Sequence, residues 1–182
     1  MASNPAPGDL EQVRRFVNTY DAEDGSDRIA TPSELGAWLA ERGLLDPGQR
    51  VTPAEHRRAS EVRAALHATL VSHHGEPLAP GAPDVLEDAA CRARLGVRFS
   101  DEGCSRLEPR AGGVDGAMGR LLAIAHEADV SGRWARLKVC PADDCLVAFY
   151  DQSRNRSGVW CDMAVCGNRA KVREYRDRHL KA

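Results

Sequence analysis

Apolar residues recur at helical spacing at Leu10, Val13, Val17 and Tyr20, and the pattern predicts a first helix over residues 9–20. The stretch Asp21–Ile29, rich in acids, glycine and serine, predicts a loop. Thr31-Pro32-Ser33-Glu34 is a capping box with proline at the first helical position. It launches a second helix that turns Leu35, Trp38 and Leu39 inward and stops at Gly43. Thr52-Pro53-Ala54-Glu55 repeats the start signal, and Val62, Leu66 and Leu70 line one face of a longer third helix. The residues after the two boxes do not match each other, so no internal repeat is present. Gly75–Pro83 is a Pro/Gly linker; Asp84 and Glu87 start a fourth helix through Arg94, with Gly96 as its stop. Val97 and Phe99 alternate with polar neighbours, Asp101-Glu102-Gly103 can turn, and Leu107 follows, which predicts a small β-hairpin. Asp115 is the expected cap of a fifth helix with Met118, Leu121, Leu122 and Ala125 inward, ended by Ser131-Gly132. A domain boundary is expected there. The fold class is mainly α: a helical sensing or interaction domain with a small hairpin over residues 1–131, then a small four-cysteine module over 132–182.

Composition sharpens this division. Residues 133–182 hold 11 Lys/Arg against 6 Asp/Glu, and the remaining residues hold 14 against 21, so a basic tail follows an acidic body. That asymmetry suits a tail that meets a polyanion. No apolar run approaches the ~20 residues needed to span a bilayer. Residues 1–9 lack the basic start and apolar stretch of a signal peptide and are expected to be a frayed tail. The expected location is therefore the cytoplasm, where thiols stay reduced and cysteines serve more often as metal ligands than as disulfides.

The tail reads Cys140-x4-Cys145-x15-Cys161-x4-Cys166. Two close pairs separated by a loop are what a tetrahedral structural zinc site needs, each pair spanning one edge of the tetrahedron. Pro141 and Gly167 lie beside outer ligands, where tight turns aim backbone N–H groups at the sulfurs. Four thiolates close the shell, so one zinc per chain is expected to be structural, with no open position for catalysis. An iron–sulfur cluster is the other use of four cysteines, but its usual spacings differ.

The stretch Cys161 to Lys171 contains Cys166-Gly167-Asn168-Arg169, the signature of the CGNR zinc-finger family, which the segment 134–178 resembles. Cys140-Pro141, Cys145, Phe149, Asp151, Ser153, Asn155 and Trp160 share in the likeness. Residues 10–130 resemble more loosely the ABATE domain that usually precedes this finger, mainly through Val13–Asp21. The resemblance implies a bacterial stress-induced transcription regulator with the finger as its DNA-binding part. The family commonly places two arginines just before the tryptophan, where this chain has Gly158-Val159.

Asn168 to Leu180 is helical in pattern. At 100° per residue Val172, Tyr175 and His179 form one stripe, expected to pack on the zinc knuckles. Arg169, Arg173 and Arg176 form an adjacent outward stripe suited to phosphates or a major groove. Lys171 is a further candidate contact, and Arg154, Asn155 and Arg156 in the loop between the cysteine pairs could add more; Asn168 is a candidate helix cap. Few aromatics stand near the row, so duplex DNA is the expected partner rather than single-stranded RNA. The helical domain is left a small-molecule or protein partner, and a homo-oligomer is compatible with the chain. The rival reading is a zinc-stabilised protein-interaction module without direct DNA binding. His67, His73 and His74 read as exposed helix-end side chains, and Cys91 and Cys104 as small buried residues rather than a redox pair. Trp38, Trp134 and Trp160 read as core or knuckle packing. No Ser/His/Asp order, phosphate loop or carboxylate pair supports catalysis, so no enzyme is expected.

Overall fold

The computed structural model describes residues 4–180, and in it the helices predicted from the apolar pattern all form. Helix α1 is Leu10–Val17, and it ends three residues earlier than expected. It stops because Asn18 turns its side chain to a distant strand and Tyr20 bridges Asp27. Both capping boxes are complete. Glu34 N–H donates to Thr31 Oγ1 at 3.2 Å and Thr31 N–H to Glu34 Oε2 at 2.9 Å, opening α2 (Pro32–Glu41). Thr52 and Glu55 do the same for α3 (Pro53–Ser72). Helix α4 (Ala82–Ala93) starts two residues before Asp84, entered through Gly81 at φ +80°. The predicted hairpin is β1 (Gly96–Phe99) against β2 (Ser105–Glu108), with Val97 opposite Leu107. Helix α5 is Gly113–Val130; Gly112, not Asp115, occupies its cap, and Asp115 instead takes an ion pair from Arg58 at 3.4 Å.

These elements close on one core in which Val13, Phe16, Ile29, Leu35, Leu39, Leu66, Leu70 and Leu121 are at most 1% exposed. Each such side chain contributes about 1.5–3 kcal/mol of burial. The loop 21–29 is tied down rather than loose, because Arg63 holds both oxygens of Asp27 at 2.7 Å. The expected frayed tail is corrected for residues 4–9; residues 1–3 lie outside the described range. Ala6 is buried and donates its N–H to Glu11 at 2.8 Å, and Asn4 accepts from Tyr150 N–H at 3.2 Å.

A single 3-10 turn, Trp134–Arg136, leads from α5 into a second hairpin, β3 (Leu137–Val139) against β4 (Ala148–Tyr150). Its faces serve different interiors. Leu137, Val139 and Ala148 join the helical core, whereas Phe149 turns to the cysteines. The outer edge of β3 would leave carbonyls unpaired. His73 Nδ1–H donates to Leu137 O at 2.7 Å and His74 Nε2–H to Val139 O at 2.6 Å, while His67 Nε2–H reaches Leu146 O at 3.2 Å. The expectation of exposed histidines is thereby corrected: the end of α3 faces a strand edge that needs donors. Burial holds His67 and His73 below the usual imidazole range, against the pull of those carbonyls. Asn18 clasps Ala148 from the other strand, donating to its carbonyl at 2.8 Å and accepting from its N–H at 2.7 Å.

Candidate metal centre and basic helix

Cys140 directly follows β3, and the turn after it brings Cys145 back, with Cys145 N–H donating to Ala142 O at 2.9 Å. The second pair is shaped by a wide π-turn, Met163–Gly167, which runs straight into α6 (Asn168–Leu180). Asp162, not Asn168, caps this helical run: its Oδ1 accepts from Ala164 N–H at 2.7 Å and Val165 N–H at 3.3 Å. Gly167 has no room for a side chain, since a Cβ there would lie 2.4 Å from Met163 Sδ and 3.0 Å from Trp160 Cδ1. Trp160 and Phe149 wall the cluster, as expected of knuckle packing.

The four sulfurs lie within 4.8 Å of one another. Cys161 Sγ is 3.5 Å from Cys145 Sγ and 3.6 Å from Cys166 Sγ. A tetrahedron of ~2.3 Å zinc–sulfur bonds has edges of about 3.8 Å, so the donor set fits one zinc ion with little adjustment. Hydrogen bonds from the Cys161 thiol, and from the Cys161 and Ala142 backbone, hold the Cys140 thiol down at about 5. The hydrogen bond with the Cys140 sulfur, and then burial, drive Cys161 upward, and burial pushes Cys166 up to about 12. Four sulfurs this close resist carrying several negative charges together, and a divalent cation at their centre removes that resistance.

A buried ion pair stands behind the cluster. Lys138 Nζ lies 2.9 Å from Asp151 Oδ2, with side chains 7% and 2% exposed. Lys138 also donates to Arg156 O at 2.7 Å and Gly158 O at 3.0 Å, and Asp151 accepts from Ser153 N–H at 2.9 Å and Gly158 N–H at 2.8 Å. This pair fixes the loop that presents Arg154, Asn155 and Arg156, all exposed. At Gly158 a Cβ would sit 2.6 Å from Asp151 Oδ1.

Helix α6 corrects the expected division into a packed stripe and a free one. Val172 is 41% and Tyr175 58% exposed, and Tyr175 stacks on His179 with ring centroids 4.0 Å apart. Among the described residues the helix packs chiefly on the π-turn, and its ties to the first knuckle run through arginines rather than through that stripe. Two of the outward arginines tie back instead. Arg169 pairs with Asp144 at 3.3 Å and Glu23 at 3.8 Å, and Arg173 pairs with Asp144 at 3.6 Å. Lys171 and Arg176 are exposed, and neither makes an ion pair among the described residues. Cys91 and Cys104, expected to be buried, are both exposed, Cys91 on the outer face of α4 and Cys104 beside the β1–β2 turn.

Fold and site together define a helical protein closed at one end by a four-cysteine metal module. The chain belongs to the ABATE family, described as "Putative stress-induced transcription regulator", whose profile matches residues 12–130; residues 136–179 match the CGNR zinc finger. No curated protein matches the chain. Among the described residues no helix is long and apolar enough to cross a membrane.

Proposed function

We propose that this protein is a cytoplasmic, stress-responsive transcription regulator of the bacterial type, not an enzyme, which binds duplex DNA through α6 and the loop 154–156. The observation that carries the reading is the exposure of Lys171, Arg173 and Arg176 on a helix anchored by the metal turn. The ion pairs of Arg169 and Arg173 with Asp144 are about half exposed, so each is worth ~1 kcal/mol or less and yields to a phosphate. Residues 1–131 act as the sensing or interaction part and 132–182 as the binding part. The test is anisotropy of a labelled duplex titrated at several salt concentrations. Arg176→Ala and Lys171→Ala should each weaken binding on every sequence and make the log–log salt slope shallower by about 1. Arg169→Ala should also lower the melting temperature, since Arg169 joins α6 to the first knuckle. A folded Arg154→Ala/Arg156→Ala/Arg176→Ala variant that binds duplex as the parent does, with the same slope, would overturn the proposal.

The exposed Val172 and Tyr175 favour a second reading, in which the same helix docks an acidic partner protein through a mixed apolar and basic face. Salt-dependent affinity for naked duplex DNA separates the two.

A further inference from the structure

A cleft of about 770 Å³ opens between the start of α1, the end of α2, strand β2 and the last turns of α5. None of its walls comes from the zinc module. Its size lies within the ~300–1,000 Å³ of ordinary small-molecule sites. Its walls are apolar in part, at Leu44, Val97, Leu107 and Ile124.

The charges of the cleft mostly cancel within the protein. Glu108 takes Arg106 at 2.6 Å and Arg98 at 3.2 Å, Glu127 faces Arg133 at 3.5 Å, and Arg42 holds Glu41 at 2.7 Å. Arg120 is different. It gives one N–H to the Gly43 carbonyl at 3.0 Å and meets no carboxylate among the described residues. Two polar atoms of the walls also end without a partner there: Gln12 Oε1 and Arg42 Nε are buried and hydrogen-bonded to nothing in the described residues. A buried polar atom left so costs about 1–3 kcal/mol, and a turn of either side chain towards the cleft, paired there by a ligand group, relieves that cost. Asp9, at the same wall, adds a second acceptor and disfavours a purely anionic guest.

We propose that this cleft is a binding site for a small amphipathic organic acid: a carboxylate for Arg120, an apolar body for Leu44, Val97 and Ile124, and a hydroxyl or amine donor for Gln12 or Asp9. The carboxylate meets a guanidinium already steadied by Gly43, and the donor meets acceptors that the protein leaves unused. The site stands apart from the metal centre and does not depend on DNA binding.

The test uses the full-length zinc-loaded protein and 4-hydroxyphenylacetate, which carries all three features. Its titration to millimolar concentration in ¹H–¹⁵N spectra should give saturable shifts centred on Gln12, Gly43 and Arg120. Arg120→Gln, which keeps a donor for Gly43, should weaken binding about tenfold. The matching alcohol, 4-hydroxyphenylethanol, should bind about tenfold more weakly than the acid to the parent, and equally to Arg120→Gln. Ala123→Trp, which fills the cleft without removing a polar group, should abolish the shifts while leaving the rest of the spectrum in place. Absence of saturable shifts, shifts centred elsewhere, or undiminished binding to both variants would overturn the proposal.

Discussion

Asp151→Ala removes the one carboxylate that faces the buried ammonium of Lys138. The two side chains are 2% and 7% exposed, so water does not replace what is lost. Lys138 keeps two carbonyls, of Arg156 and Gly158, but no counter-charge. Ser153 N–H and Gly158 N–H lose their acceptor as well. Breaking one side of a buried pair costs about 3–5 kcal/mol. The stranded N–H groups add less than their full ~1–3 kcal/mol each, because the loop around them is exposed and can turn to water. The net expectation is about 4 kcal/mol, or roughly 10 °C in melting temperature for a chain of this length. Thermal unfolding by circular dichroism at saturating zinc measures it. The control is Lys138→Met with Asp151→Leu, which leaves no buried charge and should cost clearly less than Asp151→Ala alone. If Asp151→Ala melts within about 2 °C of the parent, or the double variant is as damaged as the sum of the singles, the buried pair does not hold this loop.

Glu11 shares the acid limb of stability with Asp151, whose carboxyl is also held down at about 2. Burial opposes the ionisation of Glu11, but hydrogen bonds from Arg14, Arg15 and Ala6 N–H outweigh burial and lower its pKa from 4.5 to about 2. A depressed carboxyl stabilises the fold above its unfolded pKa, and that part is lost as pH falls from about 4.5 towards 2, so Glu11→Gln should make denaturant midpoints fall less steeply across that window. Restoring an arginine at position 158 should destabilise the protein by about 1–3 kcal/mol and loosen the loop, because its Cβ meets Asp151; a Gly158→Arg protein with an unchanged melt would contradict the close approach. Elemental analysis should find about one zinc per chain, lost with Cys140→Ser or Cys166→Ser. Chelation should lower the melt of the helical body too, since Leu137, Val139 and Ala148 lie in its core, and a body transition indifferent to chelator would show the two parts fold independently.

The helices, the first hairpin and the four ligands were legible because each has a local cause: apolar periodicity, Thr-Pro-x-Glu caps, and paired thiols at fixed spacing. What escaped depends on partners far away in the chain. His73 and His74 read as helix-end residues until a strand edge more than sixty residues on supplies the carbonyls. The ending of α1 at Val17 is set by Asn18 reaching Ala148, which no local pattern encodes. Asp144 and Asp162 were visible acids beside the cysteines, and their roles follow only from the direction in which the π-turn launches α6. Lys138 carried one signal that could have been used: a charge between Leu137 and Val139 in a strand with an apolar face must find its partner on the opposite side.

The second hairpin limits how such a protein can be recombined. Odd residues of β3 belong to the helical interior, while Lys138 and Phe149 answer to the cysteine side. A chimera that exchanged fingers at residue 131 would bring foreign side chains into the helical core at positions 137, 139 and 148, beside the strand edge that His73 and His74 hold. A graft cut after Tyr150 would keep that core but divide the cysteine pairs between two parents. Neither cut is neutral. Sequence drift on one side of this ribbon is therefore held in check by the other, and an exchange of specificity has to come through α6 and the 154–156 loop, where most side chains are exposed.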